Sequence, residues 1–245
     1  MPTALILGCS HAAGAQMHLE PGFDTKDYSP VQETEYGALY SYPVLLAEML
    51  GYTAHNHAVS GGSNDAMFRI YAEQSQTYDL IIACWTGRDR GEVLHDTHNY
   101  WIPINAGGIS LTQQQSNSVL KQGINVGLPI KDKEIYKEYG KQWLNFEIND
   151  QRTFNNKIKN IMSLNMLAHH NGTKVINLES FGGFYPPEFS YPTGIFWPTD
   201  NMDDEFINFC TRNNFPKEPG GRYFRPAHQA YAEHIKQKVD QLNFL

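Results

Sequence analysis

Three short candidate strands in this 245-residue chain, the first and third of them apolar runs, stop abruptly at a turn of glycine and small polar residues. The first, Ala4-Leu5-Ile6-Leu7, closes in Gly8-Cys9-Ser10; the second, Tyr52 to Val59, closes in Ser60-Gly61-Gly62-Ser63-Asn64-Asp65. The third, Leu80 to Thr86, runs into Gly87-Arg88-Asp89-Arg90. Helical stretches stand between them. Tyr42 to Gly51 has Pro43 in its first turn and Gly51 as its stop, and Ala66 to Gln76 follows the second glycine turn. Strand, glycine turn and helix in repetition predict an α/β fold with a central parallel sheet and helices on both faces. Continuous apolar runs, rather than alternating ones, are what strands covered on both sides require. The expected strands lie near 4–8, 53–58, 80–86 and 174–178, and the turns that follow the first three converge on one carboxyl edge, where such sheets place their chemistry.

Regularity fades from 91 to about 150, where Asn, Gln, Gly and Tyr separate short apolar pieces such as Tyr100-Trp101-Ile102-Pro103-Ile104. Phe154, Ile158, Ile161, Met162 and Met166 then recur at helical spacing, which predicts an amphipathic helix over 151–170. Lys174 to Leu178 is the fourth strand; 203–213 and 226–242 read as helices. With no internal repeat or linker, the expectation is a single domain, 1–245, carrying insertions at about 91–150 and 179–203.

Charge and cysteine content narrow the function. A formal net charge of -7 argues against broad neutralisation of nucleic-acid phosphates. Cys9, Cys84 and Cys210 are too scattered for a disulfide framework or a thiolate zinc site and fit a reducing compartment. The N-terminus enters the first strand with no basic region or long apolar segment, so the expectation is a cytoplasmic chain with no membrane span.

Ser10, at the tip of the first strand, reads either as a nucleophile or as a cap for the segment behind it. His11 beside it reads as a substrate contact or as a polar loop residue, and Cys9 as a buried inert thiol. His95-x-x-His98 and His169-His170 lack the accompanying carboxylates or thiolates of a metal site, so no metal is expected. Arg88 and Arg90 fit either a clamp on an anionic substrate or ordinary ion pairing.

In block order this sequence resembles the SGNH (GDSL-type) hydrolase family, whose members have a flavodoxin-like fold and are mostly esterases, lipases and carbohydrate deacetylases. Gly8-Cys9-Ser10 stands where that family has Gly-Asp-Ser, with Cys9 in place of the aspartate. Ala58-Val59-Ser60-Gly61-Gly62-Ser63 matches the second block at Gly61, whose N–H the resemblance assigns to an oxyanion hole together with the N–H of Ser10. The third block's Asn is missing from Trp85-Thr86-Gly87-Arg88, so Thr86 or Asn64 would substitute as donor. The last block, Asp-x-x-His before the closing helix, corresponds to the segment from Glu218 to His228, in which Arg222 or Arg225 falls where the family has its base. Three readings stand: His228 is the base with a displaced acid such as Glu218, another histidine substitutes, or the site does not hydrolyse.

The resemblance thus implies a serine hydrolase of esterase or carbohydrate O-deacetylase type, working through an acyl-enzyme on Ser10 without a cofactor. Its partner would be a small-molecule or carbohydrate ester, with no nucleic acid and no membrane. The competing expectation is a binding or structural protein that keeps the fold without the reaction.

Overall fold

A computed structural model describes residues 1–15, 17–20, 30–87, 90–95, 100–104, 150–180, 195–196, 204–218 and 221–245, and the structural statements below concern these. The strands are β1 (Thr3–Gly8), β2 (Thr53–Asn56), β3 (Leu80–Trp85), β4 (Gly91–His95), β5 (Tyr100–Ile104), β6 (Lys174–Glu179) and β7 (Ile195–Phe196). The helices are α1 (Pro30–Tyr40), α2 (Tyr42–Met49), α3 (Asn64–Ala72), α4 (Asp150–His170), α5 (Phe206–Arg212) and α6 (Arg225–Gln241). The four expected strands pair in parallel, β2 with β1, β1 with β3 and β3 with β6, and β7 adds a short parallel edge. Strand order is β2-β1-β3-β6-β7. Leaving out the separate antiparallel hairpin β4–β5, this is the second-first-third-fourth-fifth order of flavodoxin-like α/β folds. Of the expected insertions, this hairpin and β7 are described; the remainder of 91–150 and 179–203 lies largely outside the described residues.

Alternation along the buried strands divides the core into two layers. Ala4 and Ile6 of β1, Leu80, Ile82 and Cys84 of β3, and Ile176 and Leu178 of β6 face α2, α5 and α6. Leu5 and Leu7, Ile81, Ala83 and Trp85, and Val175 face α3 and α4 on the other side. The chain is therefore a three-layer α/β sandwich. Between β3 and the hairpin, Arg69 of α3 forks onto Glu92 (2.8 and 3.0 Å) and stacks 4.8 Å from the Trp101 ring centroid, which ties both hairpin strands to the helix.

Lys157 lies on the face of α4 that carries Phe154, Ile158 and Ile161, and its ammonium is buried against Glu179 at the end of β6. Burial pushes the Glu179 carboxyl up to about 8 against the pull of Lys157. A carboxyl raised on folding contributes stability below its unfolded range and loses it as pH rises through the folded value. Stability of the wild type is therefore expected to fall between about pH 4.5 and 8 relative to a Lys157→Met/Glu179→Leu variant, read as denaturant midpoints across pH. That double replacement is expected to be neutral or stabilising, whereas Glu179→Leu alone is expected to cost about 3–5 kcal/mol because the buried ammonium loses the carboxyl it packs against.

Candidate functional site

Beyond Gly8 the chain folds into a tight turn in which the N–H of Ala13 donates to the carbonyl of Cys9 and that of Ala15 to Ser10, both at 2.9 Å. Ser10 therefore sits at the start of a closed turn on the carboxyl edge of β1, almost fully buried at 2% exposure. Three contacts hold the turn. Gly14 (φ 66°) meets Gly37 of α1 so closely that a Cβ on Gly37 would lie 2.0 Å from the Gly14 carbonyl oxygen. Asn56, at the end of β2, donates to the carbonyl of Ala12 at 3.0 Å. A Cβ on Gly8 would lie 2.6 Å from that of Ala12 and 2.9 Å from that of Cys84, so only glycine admits this approach.

The second glycine turn reaches the same place. The N–H of Val59 donates to the Gly8 carbonyl (3.0 Å), and Gly62 N–H closes onto Val59 (2.8 Å) around Gly61. Gly61 has φ 80°, a conformation that favours glycine. Ser63 then caps α3, its hydroxyl accepting from the N–H of Ala66 at 3.1 Å. Behind it the Asn64 amide is locked onto the backbone of Thr86, accepting from its N–H (3.0 Å) and donating to its carbonyl (3.2 Å). Thr86 is fully buried and its hydroxyl has no hydrogen-bond partner. Of the two candidates for the missing donor, Thr86 thus carries the unengaged group and Asn64 serves to fix the loop. Because Gly8 pairs with Cys84, Ser10 and Thr86 each stand two residues beyond the last rung of β1 and β3, on either side of the fold's topological switch point.

The two histidines differ. His228, in the first turn of α6, is buried at the start of α2, where the N–H of Tyr42 donates to its Nδ1 at 3.0 Å. A neutral ring that accepts at Nδ1 carries its proton on Nε2. Burial pushes the ring down to about 3. Its hydrogen bond is to Tyr42, not to Ser10 or to Glu218, and in this tautomer the Nδ1 lone pair is already engaged. His228 acts as a buried tie between α2 and α6. Glu218 accepts the backbone N–H of Arg222 at 2.8 Å, which braces the approach to α6.

His11 is buried beside Ser10, its ring 5.3 Å from that of Phe206, which in turn lies 4.7 Å from His228. Burial first, then the guanidinium charge of Arg222, the neighbouring His228 ring and the charge of Arg90, hold it well below the ordinary histidine range, so it is neutral at neutral pH. Arg90 places Nη1 3.5 Å from the Gly62 carbonyl. Arg88 and His98 lie outside the described residues. Arg225, the other arginine in the last block, stacks 4.1 Å from the Tyr40 ring centroid and clamps α6 to α1. The sequence reading missed Arg222 as a neighbour of His11; the signal was its place in the last block. Cys9, Cys84 and Cys210 are free and buried, and among the described residues no group of three His, Cys, Asp or Glu could hold a metal ion. No described helix is long and apolar enough to cross a membrane.

A buried serine, a neutral histidine and a threonine hydroxyl without a hydrogen-bond partner thus stand at the carboxyl edge of a flavodoxin-like sheet near its switch point, the edge at which α/β folds of this kind bind ligands. No family model and no curated protein matches the chain. Among solved structures it is similar to a Desulfitobacterium hafniense protein assigned to the G-D-S-L lipolytic family (8% identity over 97% of this chain and 99% of the other, TM-score 0.42). It is also similar to the acetyl xylan esterase Est2A from Butyrivibrio proteoclasticus (12%, 100% of this chain, TM-score 0.46) and to a family two carbohydrate esterase from Clostridium thermocellum solved with cellohexaose (13%, 100%, 0.44). The chain spans 65% of each of these two esterases.

Two outcomes test this geometry. Gly37→Ala is expected to lower stability by about 1–3 kcal/mol in denaturant unfolding, because the turn bearing Ser10 must move to admit the methyl group. Histidines held neutral by burial lose stability as pH falls below about 6.5, since the unfolded chain then binds the proton. His228→Gln is expected to flatten that acid limb in thermal unfolding measured from pH 7 to 4.

Proposed function

We propose that this chain is a serine ester hydrolase of SGNH type, with Ser10 as nucleophile. The observation that carries the reading is the placement of Ser10 and Thr86 just beyond adjacent central strands, with the turn that holds Gly61 and Gly62 bonded through Val59 to the Gly8 carbonyl. Ser10 Oγ attacks the acyl carbon, and its proton passes to a neutral imidazole. The oxyanion takes hydrogen bonds from the N–H groups of Ser10 and Gly61 and from the Thr86 hydroxyl. The alcohol leaves with the proton, and water, activated by the same imidazole, releases the acid and restores the serine. An O-acetylated carbohydrate is one ester that such a site would take.

We assign the imidazole to His11. It follows Ser10 directly in the turn and is neutral, whereas the Nδ1 of His228 accepts from the Tyr42 N–H. Turnover of p-nitrophenyl acetate is expected to fall at least about 1,000-fold in Ser10→Ala and about 10²–10⁴-fold in His11→Gln. His228→Gln is expected to act chiefly on thermal stability. A turnover loss confined to His228→Gln would return the base to His228, and full activity in Ser10→Ala would end the proposal.

A second reading, a ligand-binding protein that does not hydrolyse, draws on the last block. Arginines stand there in place of an ionisable base, and a guanidinium stays protonated at any ordinary pH. Ligand binding without turnover in the wild type would favour it.

A further inference from the structure

Asn56, the last residue of β2, pairs with Ile6 of β1. Beyond that rung the backbone still runs along β1, with His57 N–H on the Ile6 carbonyl (2.9 Å) and Val59 N–H on that of Gly8. The Asn56 side chain makes a second, independent connection. Its Oδ1 accepts from the N–H of Ala58 at 3.0 Å, the local bond of an Asx turn, and so sets the course of the chain toward Gly61. Its Nδ2 donates to the Ala12 carbonyl at 3.0 Å, with the Ala38 carbonyl (3.4 Å) and the Ser41 hydroxyl (3.3 Å) also in reach. Ala12 stands two residues beyond Ser10, and Ala38 follows the Gly37 that packs on Gly14. One planar amide thus accepts from the segment that leads to Gly61 and donates into the turn that holds Ser10. The pair of roles needs a carbonyl and an NH2 on one short side chain, which asparagine supplies. An aspartate there would keep the acceptor and turn a negative charge on the Ala12 and Ala38 carbonyls.

We infer that Asn56 is a positioning residue that sets the spacing between Ser10 and the Gly61 N–H. The spacing is a property of the fold, while its catalytic consequence rests on the hydrolase reading above. In that reading the acyl carbon bonds to Ser10 Oγ while its oxygen takes hydrogen bonds from Ser10 and Gly61, so the two turns must hold one separation through the transition state. A misplacement of about 1 Å in such an arrangement costs about 100-fold in rate. The loss falls on kcat, because the oxyanion is absent from the bound ester.

The test compares Asn56→Asp, Asn56→Ser and Asn171→Ala with wild type. The first two keep an acceptor for the Ala58 N–H and remove the amide donor to Ala12. Asn171→Ala removes a bond of the same length, 3.0 Å to the Tyr71 hydroxyl, ahead of β6 at the amino edge of the sheet, and is the control for lost stability. With p-nitrophenyl acetate, kcat is expected to fall about 10–100-fold in both Asn56 variants with KM within about twofold, and to stay within about twofold in Asn171→Ala. Wild-type kcat in either Asn56 variant, or an equal loss in Asn171→Ala, overturns the proposal. Amide hydrogen exchange reads the spacing without an ester. In the Asn56 variants exchange is expected to quicken about 10-fold or more at Ala13 and Ala15 and also at Val59 and Gly62, with β3 unchanged. Acceleration confined to one turn, or seen in neither, overturns the proposal as well. A wild type that turns over no ester, with exchange quickened in both turns, would end the hydrolase reading and keep Asn56 as the tie between them.

Discussion

The arrangement depends on how closely three segments approach one another at Gly8. Its missing side chain lets the turn bearing Ser10 fold back against Cys84 of β3, while its carbonyl receives Val59 from the second glycine turn. A methyl group there would meet Ala12 and Cys84 at distances that real Cβ atoms do not show, so the turn closes against β3 only around glycine. The Gly14–Gly37 contact repeats the device one layer outward, setting α1 against the same turn. The position of Ser10 is thus set by close approaches that only glycine admits.

Around that point the polar groups divide into those that hold and those that are left available. The Asn64 amide and the His228 ring are anchors: one fixes the end of β3 to the start of α3, the other fixes the start of α2 to the approach of α6. Both are buried with their hydrogen bonds directed at backbone, which is how buried polar groups avoid the cost of desolvation. Among the described residues the Thr86 hydroxyl is one exception, buried without a hydrogen-bond partner at the carboxyl edge of β3. An orphaned hydroxyl is a modest penalty, about 1–3 kcal/mol, of the kind that functional sites carry.

The parallel sheet was legible because its strands are covered on both faces: Leu5, Ile6 and Leu7, and Leu80 to Ala83, must be continuously apolar, and glycine must follow where Ser10 and Gly61 turn back. The convergence of the first and second glycine turns followed from strand direction alone. The individual roles were less legible. His228 looked like a base because it opens the last helix, yet its partner is the Tyr42 N–H, 186 residues away in sequence. Asn64 and Thr86 were both named as donors, but only the register of β3 against α3 shows that one holds the other. Lys157 stands in an apolar helical stripe, and a charge in such a stripe is the trace of the buried Glu179 pairing.

The central claim is that Ser10, at the switch point of the sheet, is a reactive nucleophile. Treatment of the native protein with a fluorophosphonate, followed by intact-mass measurement and peptide mapping, tests it most directly. The account predicts a single adduct on the peptide bearing Ser10, lost in Ser10→Ala and slowed in His11→Gln. A protein that remains unmodified, or an adduct carried by any other serine, would contradict it.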